Sequence, residues 1–155
     1  MISSSDLCSS AIAYLKAEGG PGPALELRPP NEPILRSLGN GLLTAYAVDG
    51  GETFYLVQRR HLSEVGLTES ELHKRALTNL YNLARKRLEV RPYQGIYVVL
   101  MGGNFEASLL LVDSLWDESL WLIWRPTALP RPLQPATCWH FVMRAHRQEL
   151  PNSAL

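Results

Sequence analysis

The sequence predicts an α+β fold: a mostly antiparallel sheet of four to six strands, with one long helix over about residues 68–88 packed on a face. Three observations predict it. Thr68-Glu69-Ser70-Glu71 opens a stretch of helical period that closes on Arg85-Lys86-Arg87. LLTAYAVD and TFYLVQ flank Asp49-Gly50-Gly51-Glu52, a tight-turn signal between two segments rich in apolar, aromatic and β-branched residues. IYVVLM, within residues 93–101, is apolar without interruption and reads as a strand central in a sheet.

The elements follow in order. Residues 5–18 read as a short helix, because Leu7, Ala11, Ile12, Tyr14 and Leu15 recur at helical spacing. Ser4, Ser5 or Asp6 can cap its start, and Gly19-Gly20 stops it. PGPALELRPPNEP is too rich in proline to be helical and reads as an extended linker, so residues 1–33 form an N-terminal helix plus linker. Residues 42–58 are the hairpin, and residues 60–65 a short turn or helix ended by Gly66. In the long helix, Thr68 and Glu71 form a capping box. Acids in the first turn and cations in the last complement the helix dipole. Leu72, Ala76, Leu80, Leu83 and Ala84 mark its buried face. Gly102-Gly103-Asn104 is a turn with positive φ. Residues 106–118 fit a buried helix better than a strand. Residues 120–125 and 137–143 are candidate strands, and 142–150 a final short helix. There is no internal repeat.

The chain has 155 residues, one domain's worth, and 46% of them are apolar, enough for a single core. The formal net charge is zero, so no global field favours nucleic acid or an anionic membrane. No apolar run approaches the roughly 18–20 residues of a membrane span. The N-terminus lacks a basic region and a clean apolar stretch, so no signal peptide is expected. Cys8 and Cys138 match no zinc or redox spacing, and two reduced, buried thiols in a cytoplasmic protein are expected. Charge is uneven. After Glu118 the only acid is Glu149, against Arg125, Arg131, Arg144 and Arg147, and this C-terminal third holds three of the four tryptophans.

Few residues have the pattern that chemistry requires. His61 and His73 lack metal-pair spacing, and His73 is expected to pack beside Leu77 and bond locally. Asn79 lies at the edge of the helix's apolar face, where a buried amide must be hydrogen-bonded. It is expected to pin a neighbouring loop or strand, with ligand recognition as the alternative. Ser108 lacks the flanking glycines of a nucleophile elbow. The Gly-Gly turn lacks both phosphate-loop patterns. Glu106, Asp113, Asp117 and Glu118 are expected to form an exposed, solvated face. Trp116 is expected in the core, whereas Trp121, Trp124 and Arg125 are candidates for a partner surface, since Trp and Arg are enriched at interface hot spots.

A resemblance covers about residues 40–117. HLSEVGLTESELHKRALTNL, a strand, and then GGNFEASLLLVDSLWD resemble the YtpQ-like family of uncharacterised bacterial proteins, a domain of unknown function. The matching positions are Leu62, Gly66, Leu67, Glu71, Leu72, His73, Ala76, Leu77, Asn79 and Leu80. They continue from Gly103 through Leu111 to Asp113, Leu115 and Trp116. Members of that family usually continue into a strand like D-L-V-V-A-V-P-x-R-D; here LWLIWRPTALPRPLQP stands instead, so residues 118–155 diverge. The family's activity is not established, and the resemblance implies no chemistry. By architecture alone, the layout is similar to small secretion-chaperone-like domains that bind other proteins.

The function expected is therefore non-enzymatic protein binding, as a chaperone-, immunity- or adaptor-like module. The partner is another protein, homodimerisation is a natural expectation, and no cofactor, metal or membrane is called for. The rival is a small-ligand protein or enzyme with a pocket around His73, Asn79, Glu106 and Ser108. It gains if these converge in a cleft and loses if backbone groups satisfy them. A third reading is weak nucleic-acid binding through the basic helix end and the C-terminal arginines; zero net charge and the lack of a recognised motif weigh against it.

Overall fold

The computed structural model describes residues 2–19, 31–94 and 96–116. The fold is α+β, with antiparallel sheets of four and two strands. Helix α1 (Ser4–Ser10) is followed by β1 (Ile12–Ala17), β2 (Leu35–Gly39), β3 (Leu42–Asp49) and β4 (Phe54–Leu56). Helices α2 (Arg59–Val65) and α3 (Glu69–Arg87) precede a hairpin of β5 (Glu89–Tyr93) and β6 (Ile96–Leu100). Two 3-10 turns, Ala107–Leu111 and Asp113–Leu115, end the described chain.

The larger sheet is organised around β3. β1 pairs antiparallel with residues 42–47 of β3, while β2 pairs with 42–45 and β4 with 47–49. Since β1 occupies one edge of β3 along this length, β2 and β4 share the other. The β3–β4 turn falls at Asp49-Gly50-Gly51-Glu52, as the sequence predicts, and Asp49 accepts there from the Gly51 amide (2.8 Å). The β2–β3 turn is Asn40-Gly41, with φ of 53° and 71°. Positive φ at both central residues matches the twist of the flanking strands, which is why Asn-Gly suits a two-residue hairpin.

Helix α3 starts and stops as the sequence predicts. The Glu71 amide donates to Thr68 Oγ1, and the Thr68 amide donates to the Glu71 carboxylate (2.9 Å). Leu72, Ala76, Leu80 and Ala84 are all fully buried, and Leu83 packs partly buried beside them. The helix lies on β1, on the sheet face that carries Ala13 and its cross-strand partner Tyr46. The opposite face holds Tyr14 stacked on Phe54 (5.6 Å between centroids), with Phe105 edge-on to both (5.7 Å). Edge-to-face contacts set the positive rim of one ring on the negative face of another.

Three expectations need correction. The helix expected over 5–18 ends at Ser10, and Ile12–Ala17 is a strand. The IAYLKA side chains fit either period, but pairing with β3 decides the outcome, because strand preference depends on cross-strand context. Leu7, Cys8, Ala11 and Ala13 are buried, so this N-terminal part belongs to the core. Among the described residues IYVVLM is not central: β6 pairs there with β5 alone, in a two-stranded sheet. Its partner, EVRPY, carries a proline and two charges, which argue against a strand in sequence. Residues 106–116 form neither a regular α-helix nor a strand, but two 3-10 turns. The linker over 20–30 and the elements expected over 120–125, 137–143 and 142–150 lie outside the described residues.

Candidate functional site

The structure does not gather the four polar candidates into one cleft; it gives each a structural hydrogen bond. His73, in the second turn of α3, meets Tyr46 of β3, with Nδ1 3.0 Å from the phenol oxygen and the rings edge to face. In the neutral tautomer that carries its proton on Nε2, Nδ1 accepts from the phenol O–H; in the other, Nδ1–H donates to the phenol oxygen. Its partner is therefore 27 positions away in sequence, not the local bond expected. Asn79, six residues on, lies about 120° round the helix from His73 at 3.6 residues per turn. Its Nδ2 donates to the Ser9 carbonyl (2.8 Å) and the Ala11 carbonyl (2.9 Å). It thus ties the last turn of α1 and the entry to β1 onto α3.

Glu106 and Ser108 also serve the backbone. Glu106 Oε1 accepts from the amides of Met101 (3.0 Å) and Gly103 (3.1 Å), closing the loop in which Gly102 sits at φ +69°. Only Asp113, of the expected acidic face, is exposed among the described residues; Glu106 is half-buried. Asp117 and Glu118 lie outside the described residues, as do Trp121, Trp124 and Arg125. Ser108 is fully buried, and its hydroxyl accepts from the Leu15 amide (2.9 Å), docking the first 3-10 turn on the edge of β1 away from β3. Trp116 is half-buried and donates its indole N–H to the Leu109 carbonyl (2.9 Å). His61 is buried, and its Nδ1 accepts from the Gln58 amide (3.0 Å) at the start of α2, the position a Glu or Gln fills in a usual capping box. Cys8 is a buried free thiol, and burial raises its pKa.

Sequence reasoning missed Tyr46 and the basic groove beside α3. That open groove, about 320 Å³, is lined by Ser9, Lys74, Arg75, Thr78 and Asn79. Its cations could have been found by their helical spacing from Arg85 and Lys86; Tyr46 carried no local signal. Thr44, two residues before Tyr46 on the same sheet face, is fully buried with no hydrogen-bond partner for its hydroxyl among the described residues. Among the described residues, no group of three His, Cys, Asp or Glu could hold a metal ion. No helix among them is long and apolar enough to cross a membrane.

Both described histidines are at least half-buried and hydrogen-bonded through Nδ1, and this makes stability depend on pH. Burial holds the imidazole of His73 below its ordinary pKa, helped by the Arg36 charge. Burial and then Arg60 do the same at His61 against a smaller opposing pull from Glu64. A group with a depressed folded pKa binds protons more readily in the unfolded chain. The contribution is therefore complete above the unfolded value of about 6.5 and is lost as pH falls below it. Melting temperature is expected to drop between about pH 7.5 and pH 5.5, above the range where carboxylates titrate. In the His61→Gln/His73→Gln variant that slope should flatten; an equal slope in both proteins would rule these histidines out as its source.

Comparison with known proteins returns no match to a family model, to a curated protein or to a solved structure.

Proposed function

We propose that the protein is a non-enzymatic protein-binding module that presents open sheet edges to its partner. The observation that carries this reading is the β5–β6 hairpin. Its strands pair only with each other among the described residues, leaving the outer edge of an apolar strand without a hydrogen-bonded neighbour. Two strands alone are marginal in water, and an open apolar edge is a template for another chain. Alternation along β6 turns Val99 towards the core, while Val98 and Leu100 fall on the other face, beside Glu89 and Arg91. β2 is a second edge, exposed along its whole length and bearing Leu35 and Leu38. The use of Asn79, Glu106 and Ser108 on backbone groups favours this reading over a ligand pocket. Membership of the YtpQ-like family is likewise a proposal; its support is that the motif positions Leu72, Ala76 and Leu80 are core residues while Asn79, Glu106 and Ser108 each tie down backbone.

The test compares the wild type with Val98→Lys, after matching their melting temperatures, by pull-down from host lysate and light scattering. A stoichiometric protein partner held by the wild type and released by the variant is the expected result. Equal recovery of every protein by both, or a wild type that stays monomeric and partnerless, would sink the reading.

A further inference from the structure

The exposed face of α3 is a second surface, independent of the hairpin. Lys74, Arg85, Thr78, Asn82, Arg75 and Lys86 lie within about 120° of the helix circumference at 3.6 residues per turn, and all six are exposed. No acid occurs between Glu71 and Glu89. The ion pairs among the described residues use Arg59 and Arg91, and none uses Lys74, Arg75, Arg85 or Lys86. Arg85 lies over the Tyr81 ring, its guanidinium carbon 5.9 Å from the centroid. Glu71, the one acid on this side, is turned back onto the Thr68 amide and hydroxyl. The groove of Ser9, Lys74, Arg75, Thr78 and Asn79 opens at the N-terminal end of this stripe and has no acid in its lining. The neutral protein thus gathers on one helix face four cations that make no salt bridge among the described residues.

We infer that this face binds the phosphate backbone of a nucleic acid, without reading its sequence. From Lys74 to Lys86 the helix rises about 18 Å at 1.5 Å per residue. A nucleic-acid strand carries a phosphate every 3.4 Å or so of duplex axis, so the stripe spans several. Arg, Lys and Asn are among the side chains that contact phosphates, and five of the six stripe residues are of these types, while the Thr78 hydroxyl donates to the Lys74 carbonyl (2.9 Å). A protein partner would need an apolar or aromatic anchor at the centre of the contact; the six residues of the stripe include none, and the neighbouring Tyr81, at its edge, is half-buried with its ring under Arg85. Insertion into a membrane would need the apolar face of α3, which Leu72, Ala76, Leu80 and Ala84 commit to the core.

The test is fluorescence anisotropy of a labelled single strand of about 20 mixed nucleotides with the full chain, titrated between about 50 and 200 mM salt. For single strands, log K falls with log salt at about −0.7 per phosphate neutralised, so four cations predict a slope near −2.8. Lys74→Gln/Arg75→Gln should halve the slope to about −1.4, whereas Lys16→Gln/Arg60→Gln, exposed cations elsewhere, should leave it unchanged. All substituted positions are exposed, and matched melting curves confirm that the variants fold. Failure to bind at the lowest salt, or a slope unmoved by Lys74→Gln/Arg75→Gln, would overturn the inference. So would binding of poly-glutamate or anionic vesicles at matched charge when the oligonucleotide does not bind.

Discussion

Replacing Leu80 by alanine should cost about 2–5 kcal/mol of folding stability, the range for emptying a fully buried leucine site. Leu80 has no exposed surface and sits mid-helix, where α3 meets the core shared with Cys8, Ala13 and Tyr46. Neighbours on both the helix and the sheet are held by cross-strand pairing and helix hydrogen bonds, so the cavity cannot close by moving one side chain. At about 2–4 °C per kcal/mol for a chain of this size, the melting temperature should fall by roughly 4–20 °C. Leu80→Met keeps the volume and should cost less than about 1.5 kcal/mol. Urea denaturation of both variants is the measurement. A loss below about 1 kcal/mol for Leu80→Ala would mean that α3 is not packed on the sheet as described.

What could be read from the sequence is what local chemistry decides. The cap, period and charge ends of α3 all fall within one segment, and the structure carries all three. The β3–β4 turn has its own signal at Asp49-Gly50-Gly51-Glu52 and was equally readable. β1 was not, because IAYLKA is compatible with helix or strand until β3 supplies a partner. β5 was hidden by Pro92 and by Glu89 and Arg91, which pair with each other at 2.7 Å. β2 has little signal of its own in LRSLG, although Asn40-Gly41, a strong hairpin signal, follows it directly. The candidate residues divide the same way. The apolar edge of α3 marks Asn79 as an amide needing a partner, but nothing local names Ser9 and Ala11. Tyr46 is 27 positions from His73, and Leu15 is 93 from Ser108, distances at which a single sequence carries no pairing information.

Asn79→Ala separates the structural role of that side chain from a ligand-binding one. The carboxamide satisfies two carbonyls at the end of α1, and helix ends leave such carbonyls without intrahelical partners. Ala11 is fully buried, so water cannot replace the lost donor there without opening the α1–α3 contact. An orphaned buried acceptor costs about 1–3 kcal/mol; with the second, more exposed carbonyl at Ser9, the total should be about 2–3 kcal/mol. Asn79→Asp should lose at least as much, because a carboxylate offers acceptors where donors are needed and faces two carbonyl oxygens. Denaturant melts decide the matter. If both variants are as stable as the wild type, the amide is not what holds α1 to α3, and its exposed side in the groove beside Lys74 and Arg75 becomes the reason for its presence.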